Sequence, residues 1–562
     1  MSVSAQDTFC ATLVDEWVQL GVTDAVICPG SRSTPLAVAL ANRLNVHVRL
    51  DERSAAFFAL GLGMASSRPA LVCTTSGTAA VELHPAVVEA HHAGIPLIVC
   101  TADRPPELQG IGASQTIDQV GLFTTSTRWS SDPGVPDGEH ADSWRPLATR
   151  AYEEALRNPH GPGPVHLNLA FREPLVGEPG PLPRRAEPGQ APAPRADLAP
   201  PSAAGTRFFE GRGLIVAGAH ATQDPANLVA LSHAIGWPLL ADPLSGCRLE
   251  GTIAAADAIV RTDVPRPERV LVLGTPWLSK ALAAYLSEAA AEGAIVTALD
   301  PWQNKADPSR IVAEFLHVEP DTFIADTLRQ VTTSLHPPDQ EWLNTWQAYE
   351  RAAQAAIDHT LADTLSEPHL ARRLATFAAE QGATLVVSAS MPLRDIEWFA
   401  PAQAKPPRVL ANRGANGIDG VTSTALGVAT ATNQATLALL GDLAFLHDVS
   451  GLVNLPEVPC TFVVPDNGGG GIFSFLPQAD ALALPEFEHL FGTPPTTDLG
   501  AVALGFGLAV HDVRDMAGLD AALKERQAAA KKPALIRVRV PGRSDNVALH
   551  DALNQAVRLA LR

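Results

Sequence analysis

The sequence is short of positive charge. Against 60 Asp and Glu it carries 41 Lys and Arg, a formal net charge of −19 over 562 residues. A surface of that sign repels nucleic-acid phosphates and anionic membranes, which excludes both as main partners. Any small anionic ligand must then be held by arginines gathered at one place. Uninterrupted apolar runs of membrane length are missing, which excludes a spanning helix. The start, MSVSAQDTFCATLVDEW, has no basic stretch followed by an apolar one, and so no secretory signal. Six cysteines are present, Cys10, Cys28, Cys73, Cys100, Cys247 and Cys460, but none forms a CxxC pair or a zinc-type spacing. Free thiols in a reducing compartment follow, and with them a cytoplasmic protein. His84, His91 and His92 make no metal spacing and read as structural or surface residues. Two common phosphate motifs are also missing. There is no GxxxxGK[ST], and GLGMAS and GIGASQ only approach GxGxxG.

Proline is concentrated in one place. REPLVGEPGPLPRRAEPGQAPAPRADLAPPSAAG, residues 172–205, cannot continue a helix or a central strand and reads as an extended linker. A softer boundary falls at LHPPDQEWLNTW, from Leu335 to Trp346. The three segments so defined alternate short apolar runs with amphipathic stretches, the pattern of parallel α/β layers. In the first, Phe9, Leu13 and Trp17 share one helical face, Gly21 stops that helix, and DAVICPG follows as a strand and turn.

The first and third segments are alike. AVICPGSRSTPLAVAL matches LVVSASMPLRDIEWF, LVCTTSGTAAVELHPAVVEA matches LALLGDLAFLHDVSGLVNL, and PLIVCTADRP matches CTFVVPDNGGGGIF. Three strand–turn–helix units in one order imply a duplicated domain, with ligand sites at the carboxyl ends of the strands.

In the third segment Gly441-Asp442 ends an apolar strand, and Asn467 with four glycines follows about 25 residues later. Alone, Gly-Asp reads as a helix cap and the glycines as a turn. Together they suit a metal-bridged diphosphate. A small divalent cation takes a carboxylate oxygen from Asp442, an amide oxygen from Asn467 and a main-chain carbonyl from Gly469, with phosphate oxygens and water completing the shell. Glycine allows the close backbone approach. The stretch AFLHDVSGLVNL after Asp442 is expected to be one helix presenting its N-terminal amides.

This pattern resembles the thiamine-diphosphate signature of the pyruvate-decarboxylase-like superfamily. The resemblance implies an α/β protein of three domains with parallel sheets flanked by helices: a pyrimidine-binding domain over 1–180, a central α/β domain over 206–340 and a diphosphate-binding domain over 360–562, with the Pro-rich linker at 172–205. It implies thiamine diphosphate with Mg2+ or Mn2+ as cofactors. It places Ile418, Gly441, Asp442, Leu443 and Asn467 around the cofactor. Glu52, in VRLDERSAAFF, corresponds to the glutamate that contacts the cofactor's aminopyrimidine across a dimer interface and tunes its protonation.

Within that superfamily, CPGSRSTPLAVAL, TSGTAAVELHPAVVEA, TADRPPELQGIGASQTIDQ, SASMPLRDIEWF, LANRGANGIDGVTSTALGVA and GGIFSFLP closely resemble the 2-succinyl-5-enolpyruvyl-6-hydroxy-3-cyclohexene-1-carboxylate synthases of menaquinone biosynthesis. The likeness is dense over the outer segments and thin over the middle. It implies decarboxylation of 2-oxoglutarate and addition of the remaining four-carbon unit to isochorismate, in a homodimer with shared sites that assembles further into a homotetramer. The matched motifs put Ser31, Arg32, Arg104 and Gln115 from the first domain, and Ser390, Arg394 and Arg413 from the third, on the substrates. Ile418 would wedge the cofactor rings, and Ile472, Phe473 and Leu476 would wall the reacting carbons. Pro465-Asp466 departs from the second asparagine of many relatives. Lys280 lies near a basic substrate contact of the family but reads more simply as a solvated helix lysine. The alternatives are another thiamine-diphosphate-dependent 2-oxoacid decarboxylase or an acetolactate-synthase-like carboligase, and a scaffold that kept the fold. The dicarboxylate-sized arginine set argues against the former, and the joint presence of Glu52, Asp442 and Asn467 against the latter.

Overall fold

The computed structural model describes residues 3–185, 206–332, 339–362, 364–528 and 531–562. The part of the Pro-rich linker over 186–205, and residues 335–338 of the softer boundary, lie outside the described residues.

The first unit opens with α1 (Ala5–Leu20), capped by the Ser4 side chain and ended by Gly21 at φ 100°. Phe9, Leu13 and Trp17 are buried along its inner face. Six parallel strands follow: β1 (Asp24–Ile27), β2 (Asn45–Val48), β3 (Ala70–Thr74), β4 (Leu97–Asp103), β5 (Trp129–Ser131) and β6 (Pro164–Ala170). They lie in the order β2-β1-β3-β4-β6-β5. Between them run α2 (Glu52–Ser66) and α3 (His84–Ala93).

The middle unit has five parallel strands, β7 (Gly213–Ala217), β8 (Leu239–Ala241), β9 (Arg269–Leu273), β10 (Ile295–Leu299) and β11 (Glu314–Leu316), ordered β8-β7-β9-β10-β11. Helix α4 (Gln340–Leu361) lays Trp342, Trp346 and Ile357 into its core.

The third unit contains α5 (Glu367–Gln381), α6 (Met391–Phe399), α7 (Val421–Thr432), α8 (Asp442–His447) and the C-terminal α9 (Arg543–Ala560). Its strands are β12 (Thr384–Val387), β13 (Arg408–Ala411), β14 (Thr436–Leu439), β15 (Cys460–Asp466), β16 (Ala509–Val513) and β17 (Ala534–Arg539). Their order, β13-β12-β14-β15-β17-β16, repeats that of the first sheet strand for strand. The internal likeness in sequence is thus a likeness of topology. Helix α9 returns to the middle unit, burying Leu553 and Val557 in its core.

The outer units share one core. Phe57 and Phe58 on α2 pack with Val421, Ala425 and Phe445 of the third unit. Backbone-close contact joins α2 to α7: a Cβ at Gly61 would lie 2.2 Å from the Thr424 carbonyl oxygen, and one at Gly427 2.2 Å from that of Phe58. Gly61 of GLGMAS therefore serves helix packing, where no side chain fits.

The stretch after Asp442 is not one helix. It runs as α8 and a separate 3-10 turn over Val449–Leu452, broken at Asp448. Asp448 is fully buried and its carboxylate accepts from the Ser423 N–H at 2.7 Å and the Ser54 hydroxyl at 3.1 Å. Satisfying that buried charge outweighs helical continuity.

Candidate active site

Four groups of residues from the sequence motifs can be located. The first centres on Asp442, at the N-terminus of α8 just beyond β14 and 2% exposed. Its Oδ1 accepts the Leu443 N–H and its Oδ2 the Gly469 N–H, each at 2.7 Å. Burial pushes its carboxyl up to about 6, while the amides of Gly469 and Leu443 oppose the shift. Strand β15 pairs with β14 only as far as Leu439 and Val463, then continues through Pro465 to Asp466 against β17. Pro465, without an N–H, sits beyond the last pair with β14. This overrun carries Asn467 to the end of the sheet beside Asp442's loop. The Asn467 Oδ1 is buried and has no hydrogen-bond partner among the described residues. A Cβ added at Gly441 or Gly468 would meet open space, whereas one at Gly469, whose φ is 123°, would collide with the Gly492 carbonyl oxygen at 2.1 Å. A buried carboxylate, a spare buried amide oxygen and bare backbone beside them fit a small divalent cation and a diphosphate.

The second group joins the strand ends of the first sheet. Arg32 is buried; it donates to the Phe171 carbonyl at 3.1 Å and to Glu173 at 3.4 Å, and its Nε has no partner among the described residues. Arg104 donates to the Ser76 hydroxyl at 2.5 Å, and burial, then the neighbouring Arg32, lowers its pKa. Gln115, at φ 55°, donates to the Ser76 carbonyl and accepts the Ser76 hydroxyl through its own carbonyl, both at 2.9 Å. Ser31 is exposed in the turn before Arg32. Ser76, which sequence reasoning missed, ties Arg104 to Gln115. The only signal for it was its place in the strand-end turn TTSGT.

In the third group, Ser390 begins α6 at φ 77°, and Arg394 one turn on donates to its carbonyl at 2.8 Å. Burial lowers the Arg394 pKa, and Arg413 adds to this. Arg413 donates to the Pro276 carbonyl of the middle unit at 2.7 Å, leaving its Nε buried and without a partner among the described residues. The middle unit also grips α6 from its far end, where buried Arg248 donates to the carbonyls of Ile396, Glu397 and Ala400. Lys280 is exposed at the start of its helix. Ile418 is partly exposed in the loop after β13. Ile472 and Phe473 lie on a 3-10 turn over Gly471–Phe475 that Leu476 ends, and Phe473 rests on the Phe491 ring at 5.5 Å.

The fourth position, Glu52, stands apart. It opens α2 beside Asp51 and Glu82, and burial raises its pKa, with those two acids adding to the rise. Its neighbours Arg53 and Ser54 reach His447 and Asp448 of the third unit, but no hydrogen bond or ion pair among the described residues links Glu52 itself to Asp442, Asn467 or Gly469. Val48, Leu50 and Val81 around it are 50%, 57% and 42% exposed.

Comparison with known proteins gives this arrangement a class. Residues 7–122 match the family model for the thiamine pyrophosphate enzyme N-terminal TPP binding domain, residues 194–386 that for the middle domain of thiamine pyrophosphate enzymes, and residues 397–538 that for the C-terminal TPP binding domain. The chain is an enzyme of the thiamine-diphosphate-dependent class, with the α/β fold of that class. Within it, the chain belongs to the 2-succinyl-5-enolpyruvyl-6-hydroxy-3-cyclohexene-1-carboxylate synthase family. Synthases of that name from Thermobifida fusca (strain YX) and Chloroflexus aurantiacus (strain ATCC 29366 / DSM 635 / J-10-fl) are 44% and 40% identical to it, the first over 98% of both chains and the second over 89% of this chain and 88% of its own. One from Listeria innocua serovar 6a is 36% identical over 99% of this chain and 98% of its own. No helix among the described residues is long and apolar enough to cross a membrane.

Proposed function

We propose that this chain decarboxylates 2-oxoglutarate and adds the resulting succinyl unit to isochorismate, giving 2-succinyl-5-enolpyruvyl-6-hydroxy-3-cyclohexene-1-carboxylate and CO2 in menaquinone biosynthesis. The observation that carries the reading is the pairing of like charges at two places in an acidic protein. Beyond burial, Arg32 lowers the pKa of Arg104 and Arg413 that of Arg394, against the opposing pull of Asp103 and Glu173 on the one and of Glu397 and Asp395 on the other, and Arg32 and Arg413 each keep a buried Nε with no partner among the described residues. Such pairs are costly unless anions complete them, and both substrates are dicarboxylates. The name shared by the relatives supports the same pair of substrates.

Thiamine diphosphate, when bound, supplies the electron sink that decarboxylation of a 2-oxoacid requires. In this reading Asp442, Asn467 and the Gly469 carbonyl hold Mg2+ or Mn2+, Gly441 and Leu443 border the diphosphate, and Ile418 supports the rings. Glu52 hydrogen-bonds the aminopyrimidine and controls its protons. Its raised pKa suits a carboxyl that shares a proton with a ring nitrogen. Ser31, Gln115 and Ser390 orient the acceptor, and Ile472, Phe473 and Leu476 keep water from the reacting carbons. Glu52 is completed by the third unit of a second copy, so the working form is at least a homodimer, and a homotetramer in the family's manner. The exposed apolar residues around Glu52 support this. Six buried free thiols support a cytoplasmic setting.

The test is the fall in isochorismate absorbance when purified protein meets 2-oxoglutarate, thiamine diphosphate and Mg2+, with each omitted in turn. Loss that needs every component supports the reading. No loss from a protein shown to bind the cofactor removes these substrates.

A further inference from the structure

We propose that Glu367 is a positioning residue that sets the orientation of the Asn467 side-chain amide, and so decides which of its atoms faces the divalent cation; this rests on the reading of Asn467 as a metal ligand. An asparagine amide is nearly symmetric in shape but not in chemistry. One orientation offers a cation its oxygen, and the flipped one offers an NH2 that repels it. Something outside the ligand must choose.

Glu367 stands 100 positions earlier in the chain, on the first turn of α5, and is 5% exposed. Its Oε1 accepts the Asn467 Nδ2 at 2.8 Å and the Asn546 Nδ2 at 3.1 Å. With Nδ2 held there, Oδ1 is the atom left over, and it is the buried oxygen without a partner. Both amides meet one oxygen of Glu367, so a proton on the other oxygen leaves the arrangement as it is. Packing does not account for the residue. Glu367 forms no ion pair among the described residues; Asp395 and Asp442 nearby carry its own sign, and the buried His550 that opposes them is itself paired with Asp395. A buried carboxyl in such company is costly, and its visible return is the orientation of two asparagines.

The experiment reads Mn2+ affinity of the full chain by electron paramagnetic resonance, with thiamine diphosphate present, so it does not depend on turnover. Glu367→Met keeps the volume and removes the acceptor, and weakens Mn2+ binding by about 10- to 100-fold, the usual effect of losing a partner of a metal ligand. Glu367→Gln keeps an acceptor oxygen and stays within about threefold of the parent, well short of that range. Asn467→Asp sets two carboxyl groups against each other, holding a proton between them, and binds weakly. The double variant Glu367→Gln with Asn467→Asp lets the glutamine NH2 donate to the aspartate, and recovers about tenfold of that loss. A parent-like affinity in a folded Glu367→Met protein overturns the proposal. Should that variant not fold, a double variant that binds no more tightly than Asn467→Asp overturns it instead. Asn467→Ala separates the two ideas: unchanged affinity there removes Asn467 from the metal site, whatever Glu367 does.

Discussion

Glu89, on helix α3 of the first unit, accepts the backbone N–H of Gly414 in the third unit at 2.6 Å through Oε1, while its Oε2 takes the next amide, that of Ala415, at 2.7 Å. One buried carboxylate thus clamps the start of the loop that carries Ile418. Glu89→Ala leaves both amides without their acceptor, at a cost of about 1–3 kcal/mol for each. The expected result is a lower unfolding midpoint together with weaker thiamine diphosphate binding. Glu89→Gln, which keeps one acceptor, loses less of both. A titration in which Glu89→Ala binds cofactor like the parent would show that the clamp serves stability alone.

Shared sites make a prediction that no single-chain site makes. Glu52→Gln should retain cofactor yet lose about 10²–10⁴-fold in turnover, the range of general acid–base contributions. Asp442→Ala should lose metal-dependent cofactor retention. Co-expressed, the two dead variants form mixed dimers in which one site carries both lesions and the other neither, so about a quarter of all sites recover. Activity that stays at background in verified mixed dimers rules out sharing.

Gly469→Ala tests the glycine loop by geometry. The new methyl group meets a fixed carbonyl at 2.1 Å, at a φ of 123° that L-residues rarely adopt. Strain of about 2–4 kcal/mol follows. The thermal shift that thiamine diphosphate and Mg2+ give the parent protein should vanish, and the apo protein should melt lower. A preserved shift would remove this loop from the cofactor site.

Arg104→Ala removes a partly exposed guanidinium that, among the described residues, has Ser76 as its side-chain hydrogen-bond partner. Stability should hardly change. A charge-assisted hydrogen bond to a substrate carboxylate is worth about 1.5–3 kcal/mol, so kcat/KM should fall about 10- to 100-fold. Unchanged steady-state kinetics would return Arg104 to a structural role.

Glu397 gives a pH dependence of known sign. Burial, then Asp242 and Asp257, raises its carboxyl from an ordinary 4.5 to about 8, and its Oε1 has no partner among the described residues. Between those values the folded protein keeps a proton that the unfolded chain releases. The stability it contributes is therefore full below pH 4.5 and is lost as pH rises through about 8. Glu397→Gln should flatten that fall in unfolding midpoint between pH 5 and 9. Parallel profiles for parent and variant would remove Glu397 as its source.

What the sequence by itself determined is everything that depends on neighbours along the chain. Strand–turn–helix units show as period and punctuation, so the duplication is legible in the sequence and the matching strand orders repeat it. The closeness of the Asp442 loop to the Asn467 loop, joined by the Gly469 N–H to Asp442 bond, was legible because one strand and one connection separate them, and each loop stands where its own strand ends. The arginines were legible as members of strand-end turns. What only the tertiary structure decided is every contact whose partners lie far apart: Glu367 with Asn467, Glu89 with Gly414, Arg413 with Pro276, and Ser76 between Arg104 and Gln115. The break of the helix at Asp448 belongs here too, since it is set by Ser423 on α7 and Ser54 on α2. Local periodicity records the face a residue presents and not what will meet it. A buried carboxylate or a spare amide oxygen acquires its meaning only when folding brings its partner alongside and takes water away.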